Sequence, residues 1–308
     1  MAVIEPRFFF VDVFASRPLS GNPLVVVPDA DELSEPQMQA LAREFNQSET
    51  TFILEPDLEG ADWKLRSFTP TGAEVGGAGH NALGACLWLA AARLPRDRER
   101  FVQQIGRDLL PVLIDRWDEG VVVSMDQAAP RFGRVAPDRP ELAAALGIGV
   151  DDLAAADAVV VSTGAGHLLA PLRTSEAVDR ARPDPRRLSA ALRAVGGEGC
   201  YVYCLEDPRN EAHAYARFFN PAMGIGEDPA TGTAAGPLAA RLVADGVVPD
   251  GSTVVVEQGH AIGRPSRLSV TVAGDLVRLS GGGLVVADGI LHLGGQHRPS
   301  TENPLARG

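Results

Sequence analysis

The chain of 308 residues contains one pattern twice, and this internal repeat constrains the fold more than any other feature. Segments 66–70 (RSFTP) and 217–221 (RFFNP) both read R-x-F-polar-P at the end of a β-rich run. A Gly-rich loop follows each copy, TGAEVGGAGH up to His80 and AMGIGEDPATGT up to Thr233, and a mostly apolar helix follows each loop. The repeat predicts two similar halves, each built around one helix.

The helices after the two loops are predicted at 80–94 and 233–244. The run ALGACLWLAAA in the first is apolar on nearly every side, and a helix of that kind has to be enclosed on all sides. Because β-rich runs flank it, we expect a curved sheet wrapped around it. Segment 34–45 is predicted as an amphipathic helix, since SEPQ is a capping box with Pro in the first turn. Two smaller helices are predicted near 141–146 and 184–195.

The remaining periodic segments are predicted as strands. They are 8–14, 24–27, 51–54, 63–68, 109–114, 121–124, 159–162, 167–171, 201–205, 214–219, 253–257, 268–272, 277–279 and 284–286.

The Pro-rich segment 126–140 is predicted to be irregular and to contain the boundary between the halves. We therefore expect an N-terminal half over 1–127, a C-terminal half over 128–295 and a polar tail over 296–308.

Composition narrows the class of protein. A net charge of −12 argues against nucleic-acid binding, which needs a basic face. There is no apolar run of 18 residues, so no membrane span is predicted. The first residues lack the basic and small-residue features of a signal peptide, and there are three cysteines, which favours reduced thiols and a cytoplasmic location.

The two Gly-rich loops predict a place for an anion. The first N–H groups of a helix have no partner within the helix, and the helix dipole adds partial positive charge there. Two such ends, at Gly79 and Gly232, could hold one small carboxylate from both sides of a cleft. Read alone, either loop could be only a tight turn; the duplication favours binding. The alternative of a dinucleotide fingerprint in GAGHNA lacks the acidic residue expected about 20 residues later.

Several side chains near these loops could do chemistry. Glu49 stands between a helix end and a strand, where partial burial would raise its pKa into the range of a general base, although a surface carboxylate or cap is also possible. His80 opens the first enclosed helix and could donate a hydrogen bond or move a proton, or be structural. Asp228 could bind substrate or cap the following helix, and Thr233 could bind or cap. Asn22 is most simply a turn residue.

The order of motifs along the chain resembles the PhzF family of phenazine-biosynthesis isomerases. The motifs are FxDVFxxxPxxGNPxxVV (10–27), NQSETTF (46–52), AGH (78–80), SMDQ (124–127), EDPATGTAAGPLA (227–239), EQGHAIGRPS (257–266) and LSGGGLVVADG (279–289). The resemblance covers nearly the whole chain.

The resemblance implies an α+β fold like that of diaminopimelate epimerase. Two pseudo-symmetric domains, each a mixed β-sheet or barrel wrapped around a central apolar helix, would pair as a homodimer. The resemblance places the catalytic carboxylate at Glu49. It places substrate contacts at His80, Asp228 and Thr233, with Gly79, Gly232 and Asn22 beside them. The best-known activity of the family isomerises trans-2,3-dihydro-3-hydroxyanthranilate.

One departure from the related epimerases narrows the chemistry. Those enzymes use two cysteines, and the matching positions here are Ala78 and Thr231, neither of which can carry a proton as a thiolate does. We expect Glu49 to move the proton instead. No metal-ligand cluster or cofactor motif is readable, so no cofactor and no metal are predicted. An epimerase or cyclase on the same fold, or a binding protein without catalysis, remain the alternatives.

Overall fold

The computed structural model describes residues 5–117, 120–136, 138–205 and 211–293. The first nine strands are β1 (Arg7–Val13), β2 (Asn22–Val27), β3 (Thr50–Leu54), β4 (Trp63–Phe68), β5 (Glu74–Val75), β6 (Arg100–Ile105), β7 (Asp108–Trp117), β8 (Gly120–Gln127) and β9 (Arg131–Val135). The next nine are β10 (Val159–Ser162), β11 (Gly166–Pro171), β12 (Gly199–Cys204), β13 (Ala214–Asn220), β14 (Ile225–Asp228), β15 (Thr253–Gln258), β16 (Ser266–Ala273), β17 (Leu276–Gly281) and β18 (Gly283–Ile290).

The helices are few and lie between strands. They are α1 (Glu35–Phe45), α2 (His80–Ala92), α3 (Arg139–Leu146), α4 (Ser175–Arg180), α5 (Pro185–Val195) and α6 (Gly232–Ala244). The helices predicted from sequence are all present, with ends that differ by at most two residues. At the start of α1, Gln37 Oε1 accepts hydrogen bonds from both the backbone N–H and the hydroxyl of Ser34, which holds the helix entrance predicted from SEPQ.

Hydrogen bonds join the strands into one large mixed sheet. In the first part of the chain β1–β2 is antiparallel, β2–β3 parallel, β3–β4 and β4–β5 antiparallel, β4–β6 parallel, and β6–β7 and β7–β8 antiparallel. In the second part β10–β11 is antiparallel, β11–β12 parallel, β12–β13 and β13–β14 antiparallel, β13–β15 parallel, and β15–β16 and β16–β17 antiparallel. The antiparallel pairs β1–β18 and β8–β17 join strands that are distant in the sequence, and the antiparallel pair β9–β10 joins consecutive strands.

The two apolar helices pack on strands, as their sequences predict. Helix α2 buries 10 of its 13 residues and contacts β1, β2, β3, β8 and β18. Helix α6 contacts β10, β11, β16 and β17. Close packing explains a glycine in the middle of α2, because a Cβ on Gly84 would lie 2.6 Å from Leu24 Cδ2. The largest hydrophobic cluster contains the buried residues of both helices.

Amphipathic helices cover the outer faces of the sheet. Helix α1 places Met38 and Leu41 against a cluster that contains Phe52 and Phe68. Helices α3 and α5 belong to a separate cluster beside β10–β13, with Leu146, Leu188 and Leu192 buried. No helix in the described ranges is long and apolar enough to cross a membrane.

The interpretation of 126–140 as irregular was wrong. Strand β8 continues to Gln127, β9 begins after three further residues and covers Arg131–Val135, and α3 begins at Arg139. Strand β9 was not predicted, because all five of its residues are exposed and show no apolar alternation. The short strands β5 and β14 were also missed, because they lie inside the Gly-rich loops. Strand β6 and helix α4 were missed as well.

Candidate active site

Glu49 is held at a strand entrance, as its sequence context predicts. It follows α1 and immediately precedes β3, whose first two residues, Thr50 and Thr51, are fully buried. The Glu49 side chain itself is only 19% exposed. Because burial disfavours the charged carboxylate, the pKa of Glu49 is raised to about 7. This carboxyl group can therefore both accept and donate a proton near neutral pH.

His80, the first residue of α2, lies against Glu49. Its Nε2 is 3.0 Å from Glu49 Oε2, but the two groups are not aligned for a hydrogen bond, and both atoms are buried without a hydrogen-bond partner. Burial lowers the pKa of His80, against the opposing effect of the nearby Asp228 charge. His80 is therefore neutral at neutral pH, and burial rather than an ion pair sets the pKa of Glu49. The contact places two unsatisfied groups side by side.

Asp228, the last residue of β14, is anchored on both carboxylate oxygens. Its Oδ1 accepts a hydrogen bond from Asn22 Nδ2 at 2.9 Å, and its Oδ2 accepts one from the Thr231 hydroxyl. Burial raises the pKa of Asp228 to about 6, and His80 and the hydrogen bond from Thr231 act in the opposite direction, while the Glu49 charge raises it further. Asp228 is thus mostly ionised at neutral pH and interacts electrostatically with Glu49 and His80.

A glutamine that the sequence did not single out organises this anchor. Gln258 is fully buried at the end of β15, and its Nε2 donates to the backbone carbonyl of Asp228 and to Thr231 Oγ1. Its Oε1 accepts from the backbone N–H of Thr231 and from the hydroxyl of Tyr201. Since Thr231 Oγ1 accepts a hydrogen bond from Gln258, its own hydroxyl hydrogen points to Asp228. Gln258 belongs to the family motif that begins EQGH, and this motif is the sequence feature that could have indicated its role.

The start of α6 is held from two sides. Gln127 Nε2 donates to the backbone carbonyl of Gly232 at 3.0 Å, and Gln127 Oε1 accepts from the Thr163 hydroxyl. The Thr233 hydroxyl lies 3.2 Å from Nε2 of His167. A Cβ on Gly79 would lie 4.0 Å from the methyl group of Thr233. The beginnings of α2 and α6 therefore lie next to each other.

Neither helix start is capped by its own N-cap side chain. The N-cap residues are Gly79 in α2 and Thr231 in α6, and neither makes a side-chain cap hydrogen bond. Asn81 Oδ1 accepts from the backbone N–H of Gly79 instead. The first N–H groups of both helices thus lie at two adjacent helix starts without an N-cap side chain, an arrangement that suits an anion.

The predicted site residues come together, with one change of position. Glu49 and His80 touch, Asp228 interacts electrostatically with both, and Gly79 adjoins Thr233 next to Gly232. Asn22 is not a turn residue: it is the first residue of β2, fully buried, and its amide donates to Asp228 and to the carbonyl of Ala230. Asp228 does not cap α6, because Thr231 is the N-cap.

Two cavities lie away from these residues. One, of about 590 Å³, is lined by Phe9, Trp88 and Arg93 among others, and Arg93 is paired with Asp29. The other, of about 340 Å³, lies beside Tyr203 and other residues. Neither is lined by Glu49, His80 or Asp228, and these three residues remain the candidate for chemistry because their pKa values are shifted by burial.

Comparisons with known proteins show the family and the fold of the chain. The profile of the phenazine biosynthesis-like protein family matches residues 11–289. A trans-2,3-dihydro-3-hydroxyanthranilate isomerase of Pseudomonas aeruginosa is 36% identical over 298 residues, which cover 93% of this chain and 99% of the relative. The crystal structure of a phenazine biosynthesis protein of the PhzF family from Bacillus anthracis superposes with a TM-score of 0.87 at 29% identity, covering 94% of this chain and 99% of that one. A hydroxyproline epimerase from Agrobacterium vitis shares the fold alone, with a TM-score of 0.62 at 12% identity, 93% of this chain and 91% of that one being covered.

The fold and the relatives define the class: this protein is an isomerase with an epimerase-like fold. The chain belongs to the phenazine biosynthesis-like (PhzF) family.

Proposed function

We propose that this isomerase transfers a proton on a small carboxylate substrate that resembles trans-2,3-dihydro-3-hydroxyanthranilate, with Glu49 as general acid and base. The observation that carries the proposal is the Glu49 carboxyl group itself. It is buried, its pKa is about 7, and its Oε2 has no hydrogen-bond partner although His80 Nε2 is 3.0 Å away. Such a group has a free position for a proton from substrate.

The reaction conserves atoms and electrons. Glu49 accepts a proton from one substrate carbon, and the electron pair of the broken C–H bond shifts the adjacent double bond. The protonated carboxyl then donates a proton to a second carbon, where the new C–H bond forms. Only acid–base chemistry is required, because nothing is oxidised or reduced. A pKa near the working pH makes both steps accessible to one carboxyl group.

The surrounding groups would hold the substrate in place. Ionised Asp228 suits a substrate ammonium or hydroxyl donor, and neutral His80 can accept or donate a hydrogen bond. The helix starts at Gly79 and Gly232, with the Thr233 hydroxyl, suit the substrate carboxylate. Asn22 then acts on Asp228 rather than on the substrate.

We further propose that the site lies in a cleft between two pseudo-symmetric halves, 1–127 and 128–295. The same order of parallel and antiparallel pairings from β1 to β8 and from β10 to β17 supports this arrangement. The family resemblance also leads us to propose a homodimer, which light scattering would test. A cytoplasmic location is proposed with it.

The direct test is turnover of trans-2,3-dihydro-3-hydroxyanthranilate by Glu49→Gln. We expect kcat to fall by about 10²–10⁴-fold, the usual contribution of a positioned acid–base group. Binding of 3-hydroxyanthranilate, an aromatic analogue, should persist, because the amide keeps the shape of the side chain. The matched control is Glu44→Gln, an exposed position on α1 that should leave kcat unchanged. Full activity of Glu49→Gln would disprove the proposed mechanism.

An epimerase is the second candidate, because the fold is shared with a hydroxyproline epimerase. The positions of the two epimerase cysteines are Ala78 and Thr231, and the Thr231 hydroxyl is engaged by Asp228 and Gln258. The position of deuterium in product formed in deuterated water separates the two outcomes. Label at the original stereocentre alone would favour epimerisation.

A further inference from the structure

His167 is a buried histidine whose ring is fixed in one orientation. It lies on β11, is 4% exposed, and meets the Phe218 ring edge-on with centroids 4.9 Å apart. Gly199, its parallel neighbour on β12, leaves room for the two rings, because a Cβ there would lie 2.4 Å from Phe218 Cζ and 3.3 Å from His167 Nδ1. This packing directs Nε2 toward the Thr233 hydroxyl at 3.2 Å.

The two ring nitrogens have different surroundings. Burial lowers the pKa of His167 to about 4, so the ring is neutral at neutral pH and carries one N–H and one lone pair. Nε2 has Thr233 Oγ1 as its partner, whereas Nδ1 is buried without one. A buried N–H without an acceptor is rarer in proteins than an acceptor without a donor. The proton therefore belongs on Nε2, with the lone pair on Nδ1.

This tautomer determines what Thr233 offers to a ligand. When Nε2–H donates to Thr233 Oγ1, the hydroxyl proton of Thr233 points elsewhere. No other hydrogen bond of this hydroxyl is found within the described residues. The side chain lies beside Gly79, between the starts of α2 and α6. The hydroxyl hydrogen of Thr233 is thus available as a donor in the region where the substrate is proposed to bind.

We infer that His167 is a positioning residue that holds the Thr233 hydroxyl as a hydrogen-bond donor, so that this side of the site selects a substrate carboxylate oxygen and not an ammonium group. The inference rests on the proposed function for the location of the substrate. It divides recognition between two side chains: Asp228 accepts from the substrate's donor, and Thr233 donates to its carboxylate. If His167 carried its proton on Nδ1, its Nε2 would accept the hydrogen bond from the Thr233 hydroxyl, and Thr233 could only accept from a ligand.

The tautomer is measured directly by ¹⁵N NMR of the imidazole nitrogens in the intact protein. We expect His167 to carry its proton on Nε2, with Nδ1 in the chemical-shift range of an unprotonated ring nitrogen. The His167→Gln spectrum assigns the signal by its loss. A proton on Nδ1 would overturn the inference. This experiment needs neither substrate nor turnover.

Binding of 3-hydroxyanthranilate tests the consequence. His167→Met, which removes the donor at similar size, should weaken binding about three- to tenfold, and Thr233→Val about tenfold or more. His167→Gln, which keeps an N–H near the Nε2 position, and Thr233→Ser should both bind within about twofold of the parent, since each retains the hydrogen bond that is tested.

The double variant His167→Met/Thr233→Val separates positioning from simple packing. If His167 acts through Thr233, the double variant binds as weakly as Thr233→Val alone, because no hydroxyl is left to orient. Fully additive losses, or equal binding by His167→Met and the parent, would contradict the inference. Because these readouts do not use catalysis, an active Glu49→Gln would remove the proposed function while leaving them interpretable.

Discussion

The two loops that begin alike in sequence are built differently around their chemical groups. In each, the arginine of the R-x-F motif lies over the phenylalanine two residues later and pairs with a glutamate of the following short strand. The Arg66–Glu74 pair is partly exposed, with side-chain exposures of 21% and 44%, whereas the Arg217–Glu227 pair is buried, at 5% and 10%. The second loop is the more firmly anchored.

The same contrast extends to the chemical groups. Around the first loop, Glu49 Oε2 and His80 Nε2 have no hydrogen-bond partner. Around the second, Asp228 accepts on both oxygens, and Gln258 completes the network. Buried polar groups with all their hydrogen bonds are held in one orientation. Buried polar groups without a hydrogen-bond partner cost free energy unless a ligand supplies the missing bond. The comparison teaches that the first wall of the site, formed by Glu49 and His80, is suited to moving a proton, and that the second wall, formed by Asp228 and Gln258, is suited to holding the substrate.

The largest expected effect on stability comes from replacing Arg217, and the same change at Arg66 is its matched comparison. Arg217→Met removes the partner of buried Glu227 and one of the donors to each of the carbonyls of Val178 and Ala181, so it should cost about 3–5 kcal/mol in the free energy of unfolding. Arg66→Met, the matched change in the first loop, should cost at most about 1 kcal/mol because its pairs are exposed to solvent. Urea unfolding measures both. Equal costs would remove the contrast between the loops.

The next largest effect is a pH dependence that belongs to Glu49. Its pKa is about 7 in the folded protein and 4.5 in an unperturbed carboxyl, so the folded state binds the proton more tightly. The stability associated with this group is present below pH 4.5 and is lost as the pH rises through 7. The loss is about 3 kcal/mol at most, from about 1.4 kcal/mol per pKa unit.

Between pH 4.5 and pH 8 the free energy of unfolding of Glu49→Gln should therefore rise by about 3 kcal/mol relative to that of the parent, because the amide cannot ionise. Denaturant unfolding of the parent, Glu49→Gln and Glu44→Gln at both pH values checks this. Glu44→Gln should follow the parent, since that side chain is exposed. A parallel pH dependence of all three proteins would show that Glu49 has an ordinary pKa.

The smallest effect sharpens the role of the anchor. Gln258→Leu leaves the Tyr201 hydroxyl and the Thr231 backbone N–H without their partner, which should cost about 1–3 kcal/mol. It should also weaken binding of 3-hydroxyanthranilate, because Thr231 no longer orients Asp228, while kcat at saturation changes little. Isothermal titration and initial rates give the two values. A fall in kcat without a change in affinity would assign this wall to the proton transfer instead.

The sequence predicted the enclosed helices well, because residues that are apolar on all sides of a helix leave only one kind of environment. It also indicated Glu49, His80, Asp228 and Thr233 through the repeat and the family motifs. Strand β9 escaped because exposed strands have no apolar alternation. The role of Gln258 was not predicted, because it depends on contacts between distant segments, which no local spacing reveals. The change of Asn22 from turn residue to partner of Asp228 has the same cause.

Hydrogen exchange during catalysis tests the division of labour between the two walls most directly. The parent, Glu49→Gln and Asp228→Asn would be incubated with saturating trans-2,3-dihydro-3-hydroxyanthranilate in deuterated water, and deuterium on carbon followed by NMR. We predict deuterium uptake by the parent, uptake by Asp228→Asn near the parent's rate once substrate saturates its weakened site, and none above background by Glu49→Gln. Uptake by Glu49→Gln at the parent's rate, with loss confined to Asp228→Asn, would contradict the account.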